Sequence, residues 1–133
     1  MNVTFNNTFK YISSAAGYSG SCNAEVALSL WKDFVEECKE GYSWTVWEYM
    51  NEVDIRTIIQ KVLDHPDIKN FPDYQEYKQE VLKYDEEFRG IILTKDYFDN
   101  DYWWERKLPK CGYGDFIDTL RNAYGIYDVV ECL

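Results

Sequence analysis

Residues 71–93, FPDYQEYKQEVLKYDEEFRGIIL, hold the most regular pattern in the chain. Tyr74, Tyr77, Val81, Tyr84, Phe88 and Ile91 recur at alternating steps of three and four, which lines them along one side of an α-helix about six turns long. Pro72 suits the first turn, where its missing N–H is harmless, and Asp73, Glu76 and Glu80 sit near the positive end of the helix dipole. The opposite face carries Gln75, Lys78, Gln79, Glu86 and Glu87. The pattern therefore predicts a helix with an aromatic side turned inward and an acidic side turned to water, and the aromatic side needs packing partners.

The flanking sequence supplies them. Asn23 is placed to cap a helix over 24–40, with Val26, Leu30, Trp31, Phe34, Val35 and Cys38 inward, Glu25, Asp33, Glu36, Glu37 and Glu40 outward, and Gly41 as the stop. A further helix opens near Ser43, followed by Trp44, Val46, Trp47 and Met50, and runs or bends through Ile55, Ile58, Ile59, Val62 and Leu63 to His65-Pro66. Residues 67–70 read as a turn, and 94–109, TKDYFDNDYWWERKLP, as a long loop dense in aromatics and acids. Gly112 and Gly114 flank a turn before a last helix over 115–123, with Phe116, Ile117, Leu120 and Tyr124 inward and Gly125 as its stop. Residues 1–21 fit either a brief strand or a segment draped over the core, and the tail IYDVVECL either a helical turn or a short strand. The fold class expected is mainly α: one domain over residues 1–133, a bundle of about four principal helices with an irregular N-terminal segment and an aromatic loop before the last helix.

Composition narrows the function. The 133 residues suffice for a substantial core without metals or disulfides. A formal charge of −10, from 24 acidic and 14 basic residues, argues against direct contact with nucleic acid or anionic lipid and for a basic partner. Aromatic residues make up 18% of the chain, which separates it from disordered acidic chains. The first 20 residues have one Lys and no continuous apolar run, unlike a secretory signal or membrane span, so a cytoplasmic location is expected and the N-x-T triplets at Asn2 and Asn6 are read as chance. Cys22, Cys38, Cys111 and Cys132 form no C-x-x-C pair and are expected as idle thiols in a reducing compartment.

No catalytic machinery or cofactor site stands out. His65 is the only histidine and is accounted for as a helix-ending polar residue. Glu86 and Glu87 are adjacent, so on a helix they diverge by about 100° and cannot make the opposed pair of a glycosidase. Asp99, Asn100, Asp101 and Glu105 offer oxygen ligands, but the turn glycine of a calcium loop is missing and Tyr102, Trp103 and Trp104 fill places meant for small residues. The Tyr97-Phe98 and Tyr102-Trp103-Trp104 clusters are either lids on the core or an interface in which aromatics and carboxylates grip Arg and Lys. On the second reading the partner-binding residues are Asp96, Asp99, Asp101, Glu86, Glu87, Glu36, Glu37 and Glu40, with Trp103 and Trp104 as anchors.

Three stretches, WEYMNEVDIRTIIQ at 47–60, VLKYDEEFRGII at 81–92 and DYWWERKLP at 101–109, give the chain a resemblance. A helix with spaced aromatic and Arg residues, then a hydrophobic-Asp-x-x-Phe-Arg helix, then a Trp-Trp-x-x-x-x-Pro segment, resembles the immunity proteins of bacterial contact-dependent inhibition and related polymorphic toxin systems. The resemblance implies a cytoplasmic, non-catalytic inhibitor whose partner is a cognate toxin C-terminal domain, often a nuclease. A nuclease presents Lys and Arg to phosphate, so carboxylates at matching spacing can compete for the same site. The alternative from another class is an acidic adaptor that binds a basic host protein without protecting against anything.

Overall fold

In the computed structural model, which describes residues 2–17 and 22–133, the chain is mainly helical. In order it forms α1 (Val3–Ala15), α2 (Ala24–Glu40), α3 (Val46–Leu63), α4 (Pro66–Lys69), α5 (Tyr74–Arg89), α6 (Trp103–Arg106), a short strand β1 (Cys111–Gly112), α7 (Gly114–Tyr124) and β2 (Val130–Glu131). The expected aromatic stripe of α5 is buried, from Tyr74 through Tyr77, Val81 and Tyr84 to Phe88. The helix is shorter than 71–93. Pro72 lies just ahead of it, and Asp73 lends its side chain to the Asn2 backbone N–H, 2.9 Å away, instead of capping its own helix. At the other end, beyond the Gly90 cap, Ile92 leaves the helix to bridge Pro109.

Helix α3, rather than α5, is the element most surrounded. It packs against α1, α2, α4, α6 and α7, and every residue from Ile55 to Ile59 is buried. Thr45, not Ser43, caps it, its side chain accepting from the Glu48 N–H. Trp44 thus falls outside the helix and Trp47 on its outward side.

Helix α2 starts and stops where expected: Asn23 Oδ1 accepts from the Val26 N–H at 2.9 Å, and Gly41 takes the positive φ of 118°. Its inner line is Ala24, Ala27, Trp31, Phe34, Val35 and Cys38, while Val26 and Leu30 remain 43% and 41% exposed. The reason is angular: steps of three and four from Trp31 lead back to Ala27 and Ala24, whereas Leu30 lies about 100° round the helix from Trp31 and Val26 about 100° from Ala27. The two alanines allow the close approach of Tyr77, whose hydroxyl donates to the Ala24 carbonyl at 2.8 Å.

The N-terminal segment is a helix rather than a strand or a drape. Asn2 caps α1 by accepting from the Phe5 N–H at 3.1 Å. Phe5, Phe9 and Ile12 are buried, with Phe5 and Phe9 edge-on to Tyr77 at 5.6 and 5.5 Å. Residues 18–21, the end of the undecided N-terminal stretch, and Met1 lie outside the described residues.

Other local expectations are changed or decided. The turn at 67–70 is the one-turn helix α4, capped by His65, whose Nδ1 accepts from the Asp67 N–H at 3.2 Å. The tail is a strand: β2 pairs with β1 in parallel, Cys111 opposite Val130 and Gly112 opposite Glu131. Cys111 and Cys132 are joined in a disulfide, so two of the four cysteines are not idle thiols, whereas Cys22 and Cys38 are free and buried. The parallel ladder brings the two sulfurs together across a sequence separation of 21, which spacing alone does not reveal. Helix α7 ends at Gly125 in the left-handed conformation, φ 64°, and buries Phe116, Ile117 and Leu120, but Tyr124 faces outward. Among the described residues, no helix is long and apolar enough to cross a membrane.

Candidate functional site

The loop at 94–109 folds back on itself, with Leu93 N–H donating to the Leu108 carbonyl, Tyr97 N–H to Arg106 and Lys110 N–H to Ile91. This closure settles the two tryptophans differently. Trp104 is 4% exposed; its indole N–H donates to Thr57 Oγ1 at 2.8 Å, Tyr102 stacks on it at 4.9 Å and the Arg56 guanidinium lies 4.2 Å from its ring centre. It is a core lid and cannot anchor a partner. Trp103 is half-buried between Phe88, 6.1 Å away, and Arg89, whose guanidinium lies 4.1 Å over its ring.

Half of the eight expected carboxylates are neutralised by the chain's own bases. Asp96 meets Lys107 at 2.8 Å and Arg106 at 3.9 Å, and the Lys107 ammonium holds its carboxyl below the usual range. Lys39 bridges Glu36, at 3.4 Å, and Glu87. Glu86 pairs with Arg89. Of the ten residues expected at the interface, only Glu37, Glu40, Asp99 and Asp101 keep a carboxylate without a basic partner among the described residues. The ten therefore do not make one unpaired anionic face.

The stretches that carry the resemblance meet inside the protein. Arg56 and Asp85, 2% and 1% exposed, form a bidentate pair at 2.8 and 2.9 Å. Trp31 donates its indole N–H to Asp85 at 3.1 Å, Gln60 accepts from Arg56 at 3.0 Å, and Trp104 covers the guanidinium. Thr57, the next residue, donates to Glu105 of α6. The network locks α2, α3, α5 and α6 together and leaves only Arg56 Nη1 without a partner. Sequence reading missed it, although Asp85 sits within the buried stripe of α5 and Arg56 among the isoleucines of α3, where charged residues are costly unless paired.

The exposed tryptophans lie at the start of α3. Trp44 and Trp47 are 59% and 55% exposed. Trp47 leans on Tyr124 of α7 at 6.5 Å, and Tyr124 meets Phe98 of the loop at 5.9 Å. Carboxylates surround this aromatic tier. Glu37 lies near the Trp44 side chain, and burial, followed by the nearby charge of Glu52 and, more weakly, of Glu40, raises its pKa above the ordinary value. Glu52 accepts from the Tyr42 hydroxyl at 2.6 Å. Along α3, Trp47, Asn51 and Asp54 follow at steps of four and three on one exposed line. Beside that line Met50, Asn51, Val53, Asp54, Asn100 and Glu105 enclose a recess of about 240 Å³. Glu40, Glu48, Asp54 and Glu105 have no ion pair among the described residues. Nor do three His, Cys, Asp or Glu side chains gather there closely enough to hold a metal ion. Neither a protein-family model, a curated protein nor a solved structure matches this chain, so the reading of this face rests on its own chemistry.

Proposed function

We propose that the chain is a non-catalytic inhibitor that binds and neutralises a cognate toxin domain, a basic nuclease, and does so in the cytoplasm of the cell that makes the toxin. The observation that carries this reading is the face at the start of α3, where two exposed tryptophans stand among carboxylates that the chain does not neutralise itself. Exposed aromatics are the residues that interfaces favour as hot spots. A net charge of −10 draws a positively charged protein in from a distance and repels the nucleic acid that protein would cut. In a reducing cytoplasm Cys111 and Cys132 can also stand as thiols. The tail then still keeps its ladder bonds, Val130 N–H to the Lys110 carbonyl at 3.3 Å and Cys132 N–H to Gly112 at 3.2 Å.

The test is co-expression with the product of the neighbouring gene. The expected result is a stable complex whose nuclease activity on RNA or DNA appears only when this chain is withheld. No complex, or a complex that cleaves as fast as the partner alone, overturns the inhibitor reading; binding to a basic protein without any protection would instead make the chain an adaptor.

A further inference from the structure

Two of the four arginines show a repeated arrangement. Arg56 lies flat on Trp104 while it binds the Asp85 carboxylate, and Arg89 lies flat on Trp103 while it pairs with Glu86. Both are sandwiches of indole, guanidinium and carboxylate. Arg106 is turned to Asp96 and Arg121 lies over Tyr127. The exposed tryptophans have carboxylates in their neighbourhood but no guanidinium: Trp44 is near Glu37, and Trp47 is on the α3 line that leads to Asp54 and the recess shared with Glu105. Among the described residues no guanidinium lies over the ring of Trp44 or Trp47.

Building on the inhibitor reading, we infer that the outward face of the first half of α3, Trp44 and Trp47 with Glu48 and Asp54, docks an arginine-bearing segment of the partner protein. A guanidinium can stack on an indole and still present its edge to a carboxylate, which the point charge of a lysine does less well. Glu105 is a preset acceptor within the recess, because Thr57 donates to it and Thr57 in turn accepts from Trp104. Charge excludes two other occupants: a nucleic acid would bring phosphates to carboxylates, and a second copy would bring another −10.

The experiment is a titration of the full ¹⁵N-labelled chain with a capped arginine–glycine peptide, with lysine–glycine and glutamate–glycine peptides of the same length as controls. The indole N–H signals of Trp44 and Trp47 should move and saturate with the arginine peptide, more weakly with lysine and not with glutamate. Trp47→Ala, and separately the exposed pair Glu48→Lys with Asp54→Lys, should weaken binding roughly tenfold, the size of one good cation–π or charge contact. Asp99→Lys with Asp101→Lys should leave the indole shifts intact. The inference is overturned if the indoles do not respond, if the glutamate peptide moves them equally, if they shift with protein concentration alone, or if the Asp99/Asp101 pair proves decisive. The two readings fail separately: peptide binding without any complex with the neighbouring gene product removes the inhibitor, whereas a complex indifferent to Trp44→Ala, Trp47→Ala and Asp54→Lys removes this face.

Discussion

Asp85 and Glu37 are both carboxylates on helices, and their surroundings give them opposite roles. Asp85 is sealed against Arg56 and Trp31, so Asp85→Ala strands a buried guanidinium and should cost about 3 to 5 kcal/mol, measured as a fall in the midpoint of urea unfolding. Glu37 has the reverse relation to the fold. Its folded pKa is raised, so the folded chain holds that proton more tightly than the unfolded one, and its contribution to stability declines as pH rises through the raised value. Glu37→Gln keeps the shape of the side chain and removes the charge. The variant should therefore melt higher than the wild type near neutral pH, with the advantage gone once the pH falls below the ordinary glutamate range; an equal gain at both pH values would mean that charge is not the cause. The local pattern of the sequence showed both residues as helical acids and did not separate them, because burial depends on which helix crosses at that point.

Helix starts and stops were legible where a single side chain determines them. Asn23 and Gly41 delimit α2 as their chemistry requires, and Asn23→Ala should lower stability by about 1 kcal/mol, read from thermal melts. Helix α1 was not legible, since VTFNNTFKYISS is poor in strong helix formers and its helicity is imposed by Phe5 and Phe9 packing on Tyr77. Long-range pairing was hidden for the same reason: nothing near Cys111 indicates that the tail returns beside it. Cys132→Ser should destabilise the oxidised protein by up to about 3 kcal/mol, as expected for a loop of this length. Under reducing conditions the variant and the wild type should unfold at the same denaturant concentration, and a persisting difference would point to packing by the sulfur instead.

At the scale of the molecule, the acidity and aromatic content that suggested a protein partner are divided between two tasks. In the aromatic loop Asp96 pairs with Lys107, and Trp104 and Trp103 are covered by Arg56 and Arg89, so the two loop tryptophans are occupied internally. Trp44 and Trp47, read only as apolar residues at the opening of a helix, provide the exposed face. Side-chain type could not tell the two pairs of tryptophans apart, because the difference lies in where the chain's few arginines come to rest. The most direct test of the central claim, a negatively charged face that captures a basic protein, is the association rate with the proposed partner, the product of the neighbouring gene, measured across a range of salt concentrations. The account predicts a rate that falls steeply as salt rises, and a much flatter dependence for the Glu48→Lys, Asp54→Lys protein. A rate that does not change with salt, or that changes identically in the variant, would contradict it.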